Sequence, residues 1–364
     1  MRKFGFGSIS QITRISSLLV AVAMLTTVGA AYAKTSKAFN GPRGPALWVA
    51  NTGNFVAEFT PKMLKISGEN SPSRVLVSAD LDEPWGMIFD SRNNLWVSNV
   101  GNGTLTEFTF KQLKALKKNN APEAAVVISG LDRPEGLAFD GGGNLWVANE
   151  GGGGHLIEFT ASQLTTSGSP VPKALSDPGE MDSPVGISFD HSENLWVADD
   201  DFDHVLMFTK TQLAAGGSQS ATVLLTDDGS GSIDGCEPLI FDKSGDLWIG
   251  NNLDPVQHLG SVVKFTPGQL AQSGSPTPAV MLTATTVNHT PPSSLDIPAG
   301  VAFDGGGNLW VGNEVSDHAG SVAKFGKKLI GSSGSPLPSV FIDSNSMEKN
   351  LDVPFFLAFG PEVP

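Results

Sequence analysis

The stretch LDRPEGLAFDGGGNLWVANEGGGGHLIEFTASQL, residues 131–164, decides the fold. Its apolar runs have strand length and are divided by Gly, Asn and Asp, so PEGLAFD, GNLWVAN and HLIEF read as three successive short strands. The turn between the first two, Asp140-Gly-Gly-Gly-Asn144, has the chemistry of a tight hairpin, and counterparts begin at Asp90, Asp190, Asp242 and Asp304. Thr160 with Gln163 forms a capping box after the third strand, repeated as Thr109/Gln112, Thr209/Gln212 and Thr266/Gln269. The last copy departs, with Gly326 in place of the threonine. A later Val-rich run, such as 124–129, supplies a fourth strand.

Working outward, the Leu-Trp pair at its centre recurs at Trp48, Trp96, Trp146, Trp196, Trp248 and Trp310. Six repeats of four strands predict an all-β, six-bladed β-propeller, a fold that removes exposed sheet edges by closing radially. The chain opens at a second strand, 47–51, and closes with LDVPFFLAFG, 351–360, a first strand without a second. The two half-repeats are expected to join in one blade and lock the ring. The propeller is assigned to residues 34–364.

Residues 1–33 read as a signal peptide: Arg2, Lys3 and Arg14, an apolar stretch over 15–30, then Ala31, Tyr32 and Ala33. That implies a secreted or periplasmic protein, with no membrane span once the peptide is removed. The remaining chain carries 20 Lys and Arg against 37 Asp and Glu, a formal charge of −17. Such a surface repels phosphate backbones, which argues against a nucleic-acid partner. Cys236 is the only cysteine, so no intrachain disulfide forms, and it reads as a buried, inert thiol. The only tyrosine, Tyr32, lies in the signal peptide, which excludes tyrosine acid–base chemistry from the mature chain. A monomer is expected.

Strand direction divides the propeller into a face of uniform hairpins and a face of variable loops, where function concentrates. On the variable face the middle residue of P-x-G starts the innermost strand and borders the channel; it reads Trp85, Glu135, Val185, Glu237, Ala299 and Phe355. Two carboxylates thus face the channel from non-adjacent blades, either as site residues or as solvated lining. The end of strand two gives a second ring, Asn51, Asn99, Asn149, Asp199, Asn251 and Asn313. These either cap the following turn or complete an oxygen-rich site for Ca²⁺ or Mg²⁺. His155, His204, His258 and His318 fall in the equivalent loop between strands two and three, accompanied by Glu150, Asp200, Asp201, Asp203, Asp254, Glu314 and Asp317. Imidazole serves as ligand or general base near neutral pH, but a histidine inherited with a duplicated loop also repeats without a role. Trp85, His155, Asp254 and His318 are the candidate ligand-facing residues. Cys236 replaces the motif proline and Pro238 the motif glycine, so the fifth blade is altered at the channel mouth.

The unit P-x-G-hydrophobic-A-F-D followed by G-N-L-W-V-A-N resembles the NHL repeat and the six-bladed propellers of the gluconolactonase and virginiamycin B lyase type, over residues 45–360. That resemblance implies a divalent metal held by Glu135 and Glu237 at the channel mouth, and a mouth histidine acting as base beside it. Trp85, Val185, Ala299 and Phe355 depart from the mixed acid and amide set of those enzymes. The leading expectation is an exported module that binds a small molecule or protein through its variable face. The alternative is a metal-dependent lactonase-type hydrolase or lyase, with Glu135, Glu237, Asn149, Asn251 and Asp199 around Ca²⁺ or Mg²⁺ and His204 or His258 as base. A third reading is an envelope protein whose acidic loops bind Ca²⁺.

Overall fold

Near-continuous burial marks the three strands of the quoted stretch, which lie side by side in a computed structural model that describes residues 45–117, 121–254, 259–284, 295–314, 320–343, 351 and 354–361. Pro134–Phe139, Leu145–Asn149 and His155–Phe159 pair antiparallel, and Lys173–Ser176 adds the outer strand. Six such sheets form, each with its P-x-G strand innermost. The inner strands are Pro84–Phe89, Pro134–Phe139, Pro184–Phe189, Cys236–Phe241, Pro298–Phe303 and Pro354–Gly360. Each contacts the next and the last contacts the first, so the ring is closed. Blades are numbered here by their Leu-Trp strands, from Ala46–Asn51 in blade 1 to Leu309–Asn313 in blade 6.

Blade 1 is completed by the half-repeats as expected. Ala46–Asn51 pairs antiparallel with Pro354–Gly360, with Leu47 opposite Phe359 and Val49 opposite Leu357. The proposed signal peptide, 1–33, lies outside the described residues. Among the described residues no helix is long and apolar enough to cross a membrane.

The core sits between blades. All six Leu-Trp tryptophans are buried, and Trp48, Trp196, Trp248 and Trp310 meet Phe89, Phe241, Phe303 and Phe359 of the next blade edge-on. Such contacts add about 0.5–1.5 kcal/mol each beyond the area they bury. The hairpin aspartates accept the indole N–H in Trp196–Asp190, Trp248–Asp242 and Trp310–Asp304, at 3.1–3.2 Å. In blade 1 Gly360 occupies the aspartate's place, and Trp48 Nε1 is left without a partner.

The motif glycine has a steric cause. A Cβ on Gly86, Gly136, Gly186 or Gly300 would lie 2.1–2.3 Å from the carbonyl oxygen of Glu135, Val185, Glu237 or Phe355 respectively. The inner strands of blades 3, 4, 5 and 1 therefore nest their channel residue's carbonyl on the previous blade's glycine. Blade 5 carries Pro238 instead, and its ring fills space above Gly250, where a Cβ would meet Pro238 Cγ at 2.7 Å.

The capping boxes form as read: Gln112 and Gln212 side chains accept from the Thr109 and Thr209 backbones, and the threonines accept in return. Each starts a six-residue α-helix, whereas blades 3 and 5 make a single 3-10 turn. Thr209→Ala is expected to cost about 1 kcal/mol, read as a lower urea midpoint with an unchanged slope. Beyond this turn the chain straps the neighbouring blade. Gly168, Gly217, Gly274, Gly334 and Gly68 bridge in parallel to Ile128, Leu175, Leu225, Leu282 and Ile342 on the preceding outer strands. These straps cover outer edges that would otherwise invite pairing with other chains.

Candidate functional site

Because each inner strand begins at the variable face, its second residue is delivered to the channel mouth. The six residues fall one per blade on the second position of the inner strands, and they are chemically divided. Trp85 and Phe355, from adjacent blades, stack with centroids 3.5 Å apart and planes 20° apart. Glu135 is 2% exposed, and its Oε2 has no hydrogen-bond partner. Glu237 is partly buried, and its Oε2 is buried and equally unpartnered.

Burial is the main cause that raises the Glu135 carboxyl well above its ordinary value; Glu150 within hydrogen-bonding reach and the charge of Glu237 raise it further, and Arg133 opposes them. Burial, then the charges of Asp200 and Glu314, pushes Glu237 up to about 8, while a hydrogen bond from the Asn252 side chain opposes the rise. Arg133 lies 3.9 Å from Glu135 Oε1 and 2.5 Å from Glu150 Oε2, so one cation is already shared with this side of the mouth. Ser98 of blade 2 fixes Glu135 from below, accepting from Gly86 N at 2.8 Å and donating to the Glu135 carbonyl at 2.6 Å.

The ring at the end of strand two caps the following turn in part, Asp199 Oδ1 accepting from Phe202 N and Asn149 Nδ2 donating to the Gly151 carbonyl, and it also has a second job. Asn99, Asn149 and Asn313 each accept, through Oδ1, the backbone N–H seventeen residues earlier, at Asp82, Asp132 and Asp296. Asp199 Oδ2 accepts from both Asp182 and Ser183, at 2.8 and 3.0 Å. Their side chains thus fasten the loop that leads into their own blade's inner strand. Asn149 and Asp199 spend oxygens there that a cation would need. Asn251 differs: it donates to Ser232 and Ser261 and leaves Oδ1 buried without a partner.

One position later stand Glu150, Asp200 and Glu314, read from the sequence as acids accompanying the histidines, and Asn252, which sequence reasoning passed over. Glu150, Asp200, Asn252 and Glu314 donate their backbone N–H to the leading loop at Arg133, Ser183, Gly235 and Ile297. Their side chains join the field of Glu135 and Glu237. Burial, then Asp201 and Asp203, pushes Asp200 to about 6, and burial followed by Asp296 raises Glu314. The signal was present: blades 3 to 6 place an acid or amide after the ring residue, whereas blades 1 and 2 place Thr52 and Val100.

The histidines sit farther out. His155 and His204 open the third strands, opposite Asn149 and Asp199. That is two strand spacings, roughly 10 Å, from the inner strands. His155 is half-buried, lies 3.3 Å from Asn149 Nδ2, and is lowered from its ordinary value mainly by burial. His204 Nδ1 lies 3.4 Å from Glu180 Oε2, and its ring packs against Phe202. His258 and His318 lie outside the described residues, as does the side chain of Asp254. Cys236 is buried and donates to the Asp199 and His204 carbonyls at 3.3 Å, a packed thiol as read.

Among the described residues no three Asp, Glu, His or Cys side chains converge as a ready-made metal group. Four side-chain oxygens around this part of the fold are nevertheless buried without a hydrogen-bond partner: Glu135 Oε2, Glu237 Oε2, Asn251 Oδ1 and Asn252 Oδ1. That chemistry fits a hard cation such as Ca²⁺ or Mg²⁺, held by the two carboxyls and completed by amide oxygens.

The sequence matches no family model and no curated protein. Among solved structures the chain is similar to a protein of unknown function from Bacteroides caccae, at 10% identity and a TM-score of 0.57, over 86% of this chain and 98% of that one. It is also similar to a streptogramin B lyase, at 13% identity and a TM-score of 0.50, over 89% and 90% of the two chains. A virginiamycin B lyase from Staphylococcus aureus is aligned at 11% identity and a TM-score of 0.43, over 70% and 75%. At these identities the likeness is one of propeller fold alone.

Proposed function

We propose that this protein is a ligand-binding propeller whose channel mouth takes a cation. The observation that carries the reading is the pair Glu135 and Glu237, on inner strands two blades apart, each with a buried carboxylate oxygen that nothing satisfies. A buried carboxylate without a partner is costly, and either a proton or a bound cation relieves it. Glu150, Asp200 and Glu314 add negative field around the same opening, which favours a positive occupant.

The test is thermal unfolding and calorimetry of the mature chain at pH 8 against Ca²⁺, Mg²⁺ and methylammonium. At least one of these is expected to raise Tm in a saturable way, since a ligand at a hundred times its Kd stabilises the folded state by about 2.7 kcal/mol. The double variant Glu135→Gln, Glu237→Gln is expected to lose that response while remaining folded. A wild-type protein indifferent to all three cations sinks the proposal.

The four buried, unpartnered oxygens also favour a second reading, a divalent-metal-dependent lactonase-type hydrolase or lyase, with His204, on the neighbouring third strand 3.4 Å from Glu180, as its candidate base. A Mg²⁺-dependent turnover of lactone substrates that disappears in His204→Ala would select it. Turnover that is unchanged in that variant removes His204 from the role.

A further inference from the structure

Resting on the cation-binding reading, we propose that the occupant is an organic ammonium ion with a flat apolar body, its charged head between Glu135 and Glu237 and its body against Trp85. The acids are only part of the channel ring. The same ring position that supplies them supplies the stacked pair Trp85 and Phe355 in the two blades adjoining Glu135's side, and small Val185 and Ala299 in the others. A bare metal ion makes no use of an aromatic wall. An ammonium ion does, through attraction to the ring face and burial of its apolar part.

Trp85 is unlike every other tryptophan in the chain. The six of the Leu-Trp pairs are buried between blades, where Trp48, Trp196, Trp248 and Trp310 also meet the next blade's phenylalanine. Trp85 stands on an inner strand, is partly exposed there, and stacks with Phe355. Its Nε1 is buried and has no acceptor. Indole N–H is a donor only, so a ligand oxygen is the group that satisfies it. Glu135, 2% exposed with Oε2 unpartnered, is its neighbour in the next blade. Together they describe a ligand with a cationic head, a flat apolar body and an acceptor oxygen, rather than a hydrated metal ion.

Calorimetry on the full mature chain at pH 8 with methylammonium, benzylammonium and Ca²⁺ decides the matter. Benzylammonium is expected to bind about tenfold more tightly than methylammonium. Trp85→Ala should erase that ratio while leaving methylammonium binding intact, and Trp85→Phe should keep most of it. Should Trp85→Ala fail to fold, the benzyl-to-methyl ratio in wild type and in Trp85→Phe still tests the idea. Equal affinity for the two amines, or a ratio that survives Trp85→Ala, overturns the inference but leaves cation binding standing. Ca²⁺ binding without ammonium binding does the same. Silence towards all three probes overturns the cation reading itself.

Discussion

A chain ending at Asp343 is expected to show no cooperative unfolding transition and to aggregate. The missing segment, Pro354–Gly360, is the inner strand of blade 1, and it contacts both Pro84–Phe89 and Pro298–Phe303. Its loss strips Leu47, Trp48 and Val49 of their partner strand and removes Phe355, Phe356, Leu357 and Phe359 from the core. At about 1.5–3 kcal/mol for each large apolar side chain buried, the loss is on the order of 10 kcal/mol. A domain's whole stability is about 5–15 kcal/mol, so little remains. Circular dichroism melts and size-exclusion chromatography read the outcome. A circularly permuted chain, with Gly360 joined to Ala46 by a tight turn and a new opening in another blade's hairpin, should fold, because it keeps every strand pair. A truncated chain that melts within a few degrees of wild type would show that the half-repeats do not lock the ring.

The closure was legible because it is a matter of local pattern. PEGLAFD and GNLWVAN declare their strands by residue type, and a first strand without a second has one place to go in a ring. The hairpins are equally local: Gly143, Gly245 and Gly307 adopt positive φ at the turn, with Asn93 and Glu193 doing so at the matching positions. Glu135 and Glu237 were also within reach, since their place beside the motif glycine fixes them on the inner strand. What escaped depends on contacts between distant parts of the chain. Asn149 looks like a turn cap until the amide of Asp132 is seen to occupy its oxygen. That long-range bond, with Glu150 N donating to the Arg133 carbonyl beside it, fastens the loop leading into the inner strand. The straps are similar. Ser167-Gly168-Ser169 repeats as Ser273-Gly274-Ser275 and Ser333-Gly334-Ser335, but nothing local says that each glycine pairs with the preceding blade. For His155 and His204, equal spacing from strand two fixes a place at the start of the third strands.

Glu237 gives the other large effect, and its sign follows from linkage. Its carboxyl is pushed from 4.5 to about 8 in the folded protein, by burial first and then by Asp200 and Glu314. Between those values the folded chain holds a proton that the unfolded chain has released, so stability falls as pH rises through the window. Below about 4.5 both states are protonated at this site and the stabilisation is fully present; above about 8 it is gone. At 1.36 kcal/mol per unit, Glu237 alone accounts for a fall on the order of 3–5 kcal/mol between pH 5 and pH 9. Glu237→Gln cannot ionise, keeps the side chain's size, and is expected to match wild type at pH 5 and exceed it by several kcal/mol at pH 9. Urea denaturation with chelator present, at pH 5, 7 and 9, measures this directly. Glu135 and Asp200, raised mainly by burial, leave a residual slope of the same sign in the variant. A bound cation should act where the proton has left. Saturating cation at pH 9 is therefore expected to restore wild-type stability towards its pH 5 value and to do less for Glu237→Gln. Parallel pH profiles for the two proteins would mean that the Glu237 carboxyl is well solvated, and the case for a cation at the channel mouth would lose its principal support.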